Sequence, residues 1–470
     1  MNERLILMED DKEKLVDEIL HQRDVIKNLL SENEVLRQKL EKNKKKDPKK
    51  SDNPEPTQAV AKKRSLPPHR WGRKAGHPGC TRPIPNRIDH EAKLRLSRCP
   101  DCHHSLGRPT EIRDHIQEDI IPARMEVTRF LHYRYWCGHC AKNVTAPYAS
   151  DEVPHGYLGP RALATIVWLK YHMALPGHKI KDLLYDLCGF YISEGAIAQA
   201  LQRLGSYLQI ETCQILKAVQ ETSSKHVDET GWKINGVSHW LWTVVNNRWA
   251  FFHVNKSRGS KVPKELLGCP HQGTVSSDFF SAYNKLKGNK QKCLVHLKRD
   301  IHKARDAFPP HQGPPGDFRA PERKLNRLLQ DAQRLANRRG TFSPLVFARR
   351  VRRLKQRLFD FGAATYSHAF WQTMSGRILK HVNELFTFLE KPGVSPDNNA
   401  AERAIRPHVI IRNRSFQNRT PKGALAHERL SSLLQTLLLQ KRNIVDSLRT
   451  AYPKHRQGNQ SPLLFPQAAP

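Results

Sequence analysis

The chain has 470 residues, with 79 lysines and arginines against 45 aspartates and glutamates, a net charge of +34. That length calls for several cores, and the positive excess selects polyanionic partners, nucleic acid first, because basic side chains displace the counterions of a phosphate backbone. A membrane protein is excluded, since no run of about 18 apolar residues occurs and the start MNERLILMEDDKEK lacks the layout of a signal peptide; a cytoplasmic, nucleoid-associated protein with no membrane partner is expected.

From Glu3 to Lys42 there is no proline or glycine, and apolar residues recur in heptads. Leu15, Gln22, Leu29 and Leu36 form one seam, and Ile19, Ile26, Asn33 and Leu40 the other. Residues 1–42 therefore read as a coiled-coil helix that makes homo-oligomers, with a lone amphipathic helix as the alternative. Residues 43–90 (NKKKDPKKSDNPEP and beyond) are proline-rich, basic and poor in apolar side chains, the composition of a disordered linker able to tether DNA loosely.

Residues 91–150 read as a zinc-binding domain. Four of the nine cysteines fall in two C-x-x-C pairs, Cys99 with Cys102 and Cys137 with Cys140. Each pair can form a knuckle offering two thiolates, and two knuckles complete a tetrahedral zinc ribbon site with no open position, so the zinc is expected to be structural. Met125 to Trp136 is rich in β-branched and aromatic residues and should carry the second knuckle on a strand. His103, His104, His139 and Cys80 are substitute ligands. Residues 151–222 read as helical, with His178–Gly189 and Glu194–Leu204 in a helix-turn-helix-like layout and Ser193 as the second helix's cap. Its single arginine, Arg203, weighs against DNA reading there.

Residues 223–420 change to strand periodicity. HVDETGWKING, SHWLWTVVN and RWAFFHVN are three strands joined at Asn235-Gly236 and Asn246-Asn247; a helix-compatible stretch, TVSSDFFSAY and KCLVHL follow, the last two read as strands. Three antiparallel strands, a crossover and two further strands with helices is the order of an α/β RNase H-like core with a mixed sheet. Asp228 sits on the first strand and Asp278 closes the fourth, so the two are neighbours if those strands are adjacent. A helical insertion spans about 300–392, with helices over Glu322–Arg339 and Leu345–Phe361, the second carrying Arg349, Arg350, Arg352, Arg353, Lys355 and Arg357. Beyond it, DNNAAERAIRP reads as a helix starting at Pro396 under a Ser395 cap. Its Glu402, with Arg403 and Arg406, is either a solvated face or the last carboxylate of a metal site. A C-terminal helix over 421–452 and a disordered tail over 453–470 complete the chain.

The order CPDC, WCGHC, HVDETGW, SSDFFSAYN, KCLVHLKRD, DNNAAERAIRP and VIIRNRSF resembles the transposases of the insertion sequence 66 family across nearly the whole chain. The resemblance implies a catalytic DDE triad, by motif match Asp228, Asp278 and Glu402. It also implies a metal-dependent DNA transposase that cleaves transposon ends and joins them to target DNA, with possible accessory transposition proteins. Magnesium or manganese would be held by the same three carboxylates. Glu229 is a rival ligand that strand alternation should turn to the opposite face. His296, Arg299, Arg403, Arg406, Arg412 and Arg414 are the expected DNA contacts. A non-catalytic zinc-containing DNA-binding protein, and an RNase H-like nuclease or resolvase without strand transfer, are the alternatives.

Overall fold

A computed structural model describes residues 88–458, except 111–115, 118–122, 124, 155, 310 and 416, together with Leu464 and Phe465. The expected coiled coil, most of the basic linker and Cys80 lie outside the described residues. The chain divides into a unit ending at Asp114 and a unit beginning at His115. In the first, the Cys99 amide donates to the His104 carbonyl at 2.9 Å, and the chain turns through a left-handed His103 (φ 58).

In the second unit, strands β1 (Arg134–Cys137) and β2 (Lys142–Thr145) form an antiparallel hairpin with Cys137 opposite Lys142. A five-stranded mixed sheet follows, made of β3 (Ser224–Ile234), β4 (Val237–Val245), β5 (Ala250–Asn255), β6 (Thr274–Ser277) and β7 (Asn289–Lys292) in the order β5-β4-β3-β6-β7. The first three strands pair antiparallel, β3 to β4 through the Asn235-Gly236 turn, where both residues take positive φ (48° and 79°) as a tight hairpin requires. β6 lies parallel to β3, and β7 parallel to β6.

The helices at Pro160–Val167, Gly177–Cys188, Glu194–Tyr207 and Gln209–Gln220 share one hydrophobic core with this sheet. The helix-turn-helix-like pair ends its first member on left-handed Gly189, and Ser193 caps the second by accepting from the Ala196 amide. Much of the second helix is spent on packing. Gly205 lies so close to the Ala426 backbone that an added Cβ would sit 2.9 Å from its Cα.

Both edges of the sheet are covered. Along β5, the amides of Val254, Phe252 and Ala250 donate to Glu428, Ser432 and Thr436 at 2.7, 2.9 and 3.1 Å. Those acceptors stand four residues apart on the Pro421–Leu439 helix, so a stripe of one helix face replaces a sixth strand. Along β7, Thr387 donates to the Lys290 carbonyl at 2.6 Å, and the buried Gln291 side chain joins the Leu385 carbonyl to the Phe388 amide.

The insertion is longer and more helical than the sequence reading placed it. Helices at Leu294–Asp306, Gly316–Asn337, Pro344–Ala363 and Ala369–Lys380 build their own core around Phe318, Phe361 and Trp371. KCLVHL is not a strand: β7 stops at Lys292 and a helix begins at Leu294. A short apolar run has no periodicity to separate the two states, and here the side chains of Leu294, Leu297 and Ile301 recur at helical spacing into the second core. The expected single C-terminal helix is two, Pro421–Leu439 and Ile444–Arg456, broken at left-handed Lys441 (φ 56) and restarted by Asn443, whose side chain accepts from Val445 and Asp446. The tail is not free at its start: the last helix runs through Pro453, and Leu464 and Phe465 are buried, the latter against Trp249. Among the described residues, no helix is long and apolar enough to cross a membrane.

Candidate functional site: a carboxylate cluster at one end of the sheet

β3 and β6 are joined in parallel register, His226 opposite Ser276, an offset of fifty residues. Continuing that register by two residues sets Asp278, the residue just past β6, beside Asp228 on β3. Asp278 is not inside a strand as expected. It leaves the sheet edge, where its Oδ1 accepts from the Phe280 amide at 2.9 Å and ends β6. Beneath it lies a fully buried Lys292, whose Nζ donates to the Asp278 carbonyl at 2.9 Å and to Ser277 Oγ at 3.2 Å; burial brings its pKa down to about 8. Nothing in the sequence pattern marks that lysine, since a lysine near a strand end is ordinarily solvated.

Glu402 comes from the helix Asn399–Ser415, not from one starting at Pro396, so it stands in the first turn instead of two turns in. The cause is Asn398. Its carbonyl accepts from the Glu402 amide at 3.2 Å and opens the helix, while its side chain, fully buried, donates to the Val227 carbonyl at 2.8 Å and meets His226 Nδ1 at 3.2 Å. The backbone amide of Asn398 donates to Cys293 Sγ at 3.2 Å, and the Leu294 amide donates to the Pro396 carbonyl at 2.9 Å. The insertion thus leaves and re-enters the domain at one place, and Asn398 pins the Glu402 helix to β3 one residue before Asp228.

Burial, then the carboxylates of Glu229, Asp278 and Glu402, push the Asp228 carboxyl up to about 7. Asp228 Oδ1 accepts from the Glu229 amide at 3.0 Å. Glu402 Oε1 is buried without a hydrogen-bond partner; His296 Nε2 and Arg299 Nη2 stand 3.6 Å from its two oxygens. Both belong to the Leu294–Asp306 helix, one and two turns in, not to the end of a strand.

Glu229, the rival ligand, is already partnered. Arg258 grips it at 2.9 and 3.1 Å, Tyr283 donates to it, and the guanidinium is sandwiched between the rings of Trp240 and Phe280 at 4.2 and 4.1 Å. Burial raises the Glu229 carboxyl, and the Tyr283 and Arg258 hydrogen bonds oppose that rise. Among the described residues, Asp228 makes no such ion pair. Arg412 turns inward and braces β3, donating to Thr230 Oγ1 at 3.0 Å and to the Gly231 carbonyl at 2.8 Å, whereas Arg403, Arg406 and Arg414 are exposed.

Both C-x-x-C pairs sit on turns, and in each, hydrogen bonds led by the backbone one from Cys102 to Cys99 and from Cys140 to Cys137 draw the first thiol below its ordinary range. Among the described residues, no three histidine, cysteine or acidic side chains already converge on a ready-made cation site.

A mixed sheet with an acidic cluster at one end, set in a strongly basic chain and accompanied by two C-x-x-C pairs, defines an α/β protein equipped for nucleic-acid chemistry. The family model described as "Transposase IS66 family" matches residues 155–426, and that of the "zinc-finger binding domain of transposase IS66" matches residues 97–141, which include all four cysteines of those pairs. The chain belongs to the IS66 transposase family. Two uncharacterized proteins of Sinorhizobium fredii (strain NBRC 101917 / NGR234) are among its relatives. One, y4qI, is 24% identical over 378 residues, covering 72% of this chain and 67% of its own length. The other, y4hP, is 23% identical over 410 residues, covering 78% and 71%.

Proposed function

We propose that this chain is a DNA transposase with an RNase H-like core, in which Asp228, Asp278 and Glu402 are the catalytic carboxylates and hold magnesium or manganese. The observation that carries the proposal is the charge imbalance at the sheet end: the Asp228 carboxyl is raised by burial and by the carboxylates of Glu229, Asp278 and Glu402, with no ion pair among the described residues, and Glu402 Oε1 is buried without a hydrogen bond. Such a donor set, oxygen only and negatively charged, fits a hard divalent cation. When bound, a pair of such ions stabilises the attacking and leaving oxygens of an in-line phosphodiester displacement. The sheet order, three antiparallel strands followed by two parallel ones, supports the RNase H-like reading.

The chain's own residues supply position and charge. Asn398 and the β3–β6 register set the three carboxylates, and His296 and Arg299 stand beside Glu402 where a scissile phosphate would lie. Arg403, Arg406 and Arg414 face the flanking backbone, and Arg412 acts as a brace. Water first hydrolyses a transposon end, freeing a 3′ hydroxyl; that hydroxyl then attacks target DNA, exchanging one phosphodiester for another. Cys99, Cys102, Cys137 and Cys140 hold a structural zinc, and the N-terminal heptads join copies of the chain.

The test is a reaction on end-containing DNA with magnesium that scores cleavage and joining separately. Asp228→Asn, Asp278→Asn and Glu402→Gln should each abolish both while DNA binding persists. Strand transfer surviving in any of them refutes the triad. Cleavage by the native chain without joining supports a nuclease or resolvase, and binding without cleavage a non-catalytic protein.

A further inference from the structure

We propose that the helical insertion is a DNA grip, centred on an arginine pair, Arg338 and Arg350, that packs on the ring of Phe342 and takes the phosphate backbone of duplex DNA. The inference rests on the transposase reading and assigns its DNA a second point of contact. Between Leu294 and Lys391, twenty lysines and arginines stand against eight aspartates and glutamates. Six of the eight acids are already in ion pairs: Asp300 with Arg377, Asp306 and Glu322 with Arg305, Asp331 with Arg357, Glu384 with Lys290, and Glu390 with Lys355. The surplus is therefore not an internally compensated network.

It is also concentrated. Arg338, capping the C-terminus of the helix Gly316–Asn337, and Arg350, on Pro344–Ala363, lie within 5.2 and 4.4 Å of the Phe342 ring, and both are exposed. Among the described residues, neither has an acidic partner. Two guanidinium groups sharing one ring repel each other, and a polyanion lying across both removes that cost; the ring fixes both without neutralising either. Arg349 and Arg353 extend the exposed positive surface along the same helix.

Arg339, next to Arg338, anchors on the carbonyls of Phe388 and Leu389 at 3.0 and 2.7 Å, and lines a cavity of about 330 Å³ that Asp397, the residue before Asn398, also lines. The recognised chemistry is the backbone, so the contact is sequence-independent.

The experiment is a salt titration of DNA binding by the full-length chain, using an end-containing duplex and an unrelated duplex of the same length. Arg338→Ala/Arg350→Ala should weaken both complexes and make the slope of log affinity against log salt shallower by about 1.8, two phosphate contacts at about 0.9 each. Arg338→Lys/Arg350→Lys, with the charges kept, should restore most of the slope and guards against a folding defect. A slope equal to that of the native chain in the alanine pair overturns the grip. A native chain that binds neither duplex fails the transposase reading instead.

Discussion

Asn398 offers the sharpest test of how the site is assembled. Its side chain satisfies two buried groups, the Val227 carbonyl at 2.8 Å and the His226 ring at 3.2 Å, on the strand that carries Asp228. Asn398→Ala removes the Asn398 side chain from both, and a buried polar group so orphaned costs about 1–3 kcal/mol, so the variant should lose about 2–6 kcal/mol of stability. Asn398→Asp keeps the acceptor toward His226 but sets a carboxylate oxygen against the Val227 carbonyl oxygen, and should fare no better. The functional cost is separate: a displacement of the Glu402 helix by about 1 Å corresponds to roughly a hundredfold in rate, and the magnesium concentration for half-maximal cleavage should rise. Urea unfolding followed by circular dichroism gives the first quantity, and cleavage of end-containing DNA at a temperature where the variant is folded gives the second. A variant within about 0.5 kcal/mol of the native chain that cleaves at the native rate would refute the staple.

Four further outcomes are expected. His408 and His427, 3.0 Å apart and buried between Phe252 and Trp232, are held neutral, His408 at about 3 and His427 well below its ordinary 6.5, with burial the leading cause and Lys170 adding to the effect on His427. Because the folded state binds fewer protons than the unfolded one, stability is full above pH 6.5 and falls below it, approaching about 2.7 kcal/mol per pH unit for the pair; urea unfolding across pH 5–7, with His427→Gln flattening the trend, checks this. Gly205→Ala should destabilise by about 1–3 kcal/mol, because the added methyl meets Ala426 backbone and not a movable side chain, read as a lowered melting temperature. Asp228→Asn should raise the melting temperature in metal-free buffer while abolishing cleavage, since it removes a buried charge that faces other carboxylates. Cys99→Ser and Cys137→Ser should each reduce bound zinc measured by atomic emission, and neither should act by reducing the magnesium affinity of the carboxylates.

The parts of the fold written in alternation were legible in the sequence. The residues from His226 to Asn255 gave a meander because apolar and polar side chains take turns around two tight asparagine turns, and the spacing of Asp228 and Asp278 equals the register of β3 on β6. KCLVHL misled because six apolar-rich residues fit a strand or a first helical turn equally, and only the second core, distant in sequence, decides. The start of the Glu402 helix misled because Ser395 and Pro396 satisfy local capping rules, whereas the actual start is set by Asn398 reaching β3 across 171 residues of chain. Buried Lys292 and the Glu229–Arg258 pair were invisible for the same reason: tertiary partners, not neighbours, explain them.

The Glu428, Ser432 and Thr436 ladder on β5 has a consequence for assembly. A strand whose outward amides already donate to a helix cannot recruit a strand from another molecule, and at the opposite edge β7 is flanked by the segment that Thr387 ties to the Lys290 carbonyl and the Gln291 side chain holds at Phe388. The five-stranded sheet therefore offers no bare edge of β5 for edge-to-edge joining, so that crowding of many basic molecules on one DNA favours contacts through other surfaces.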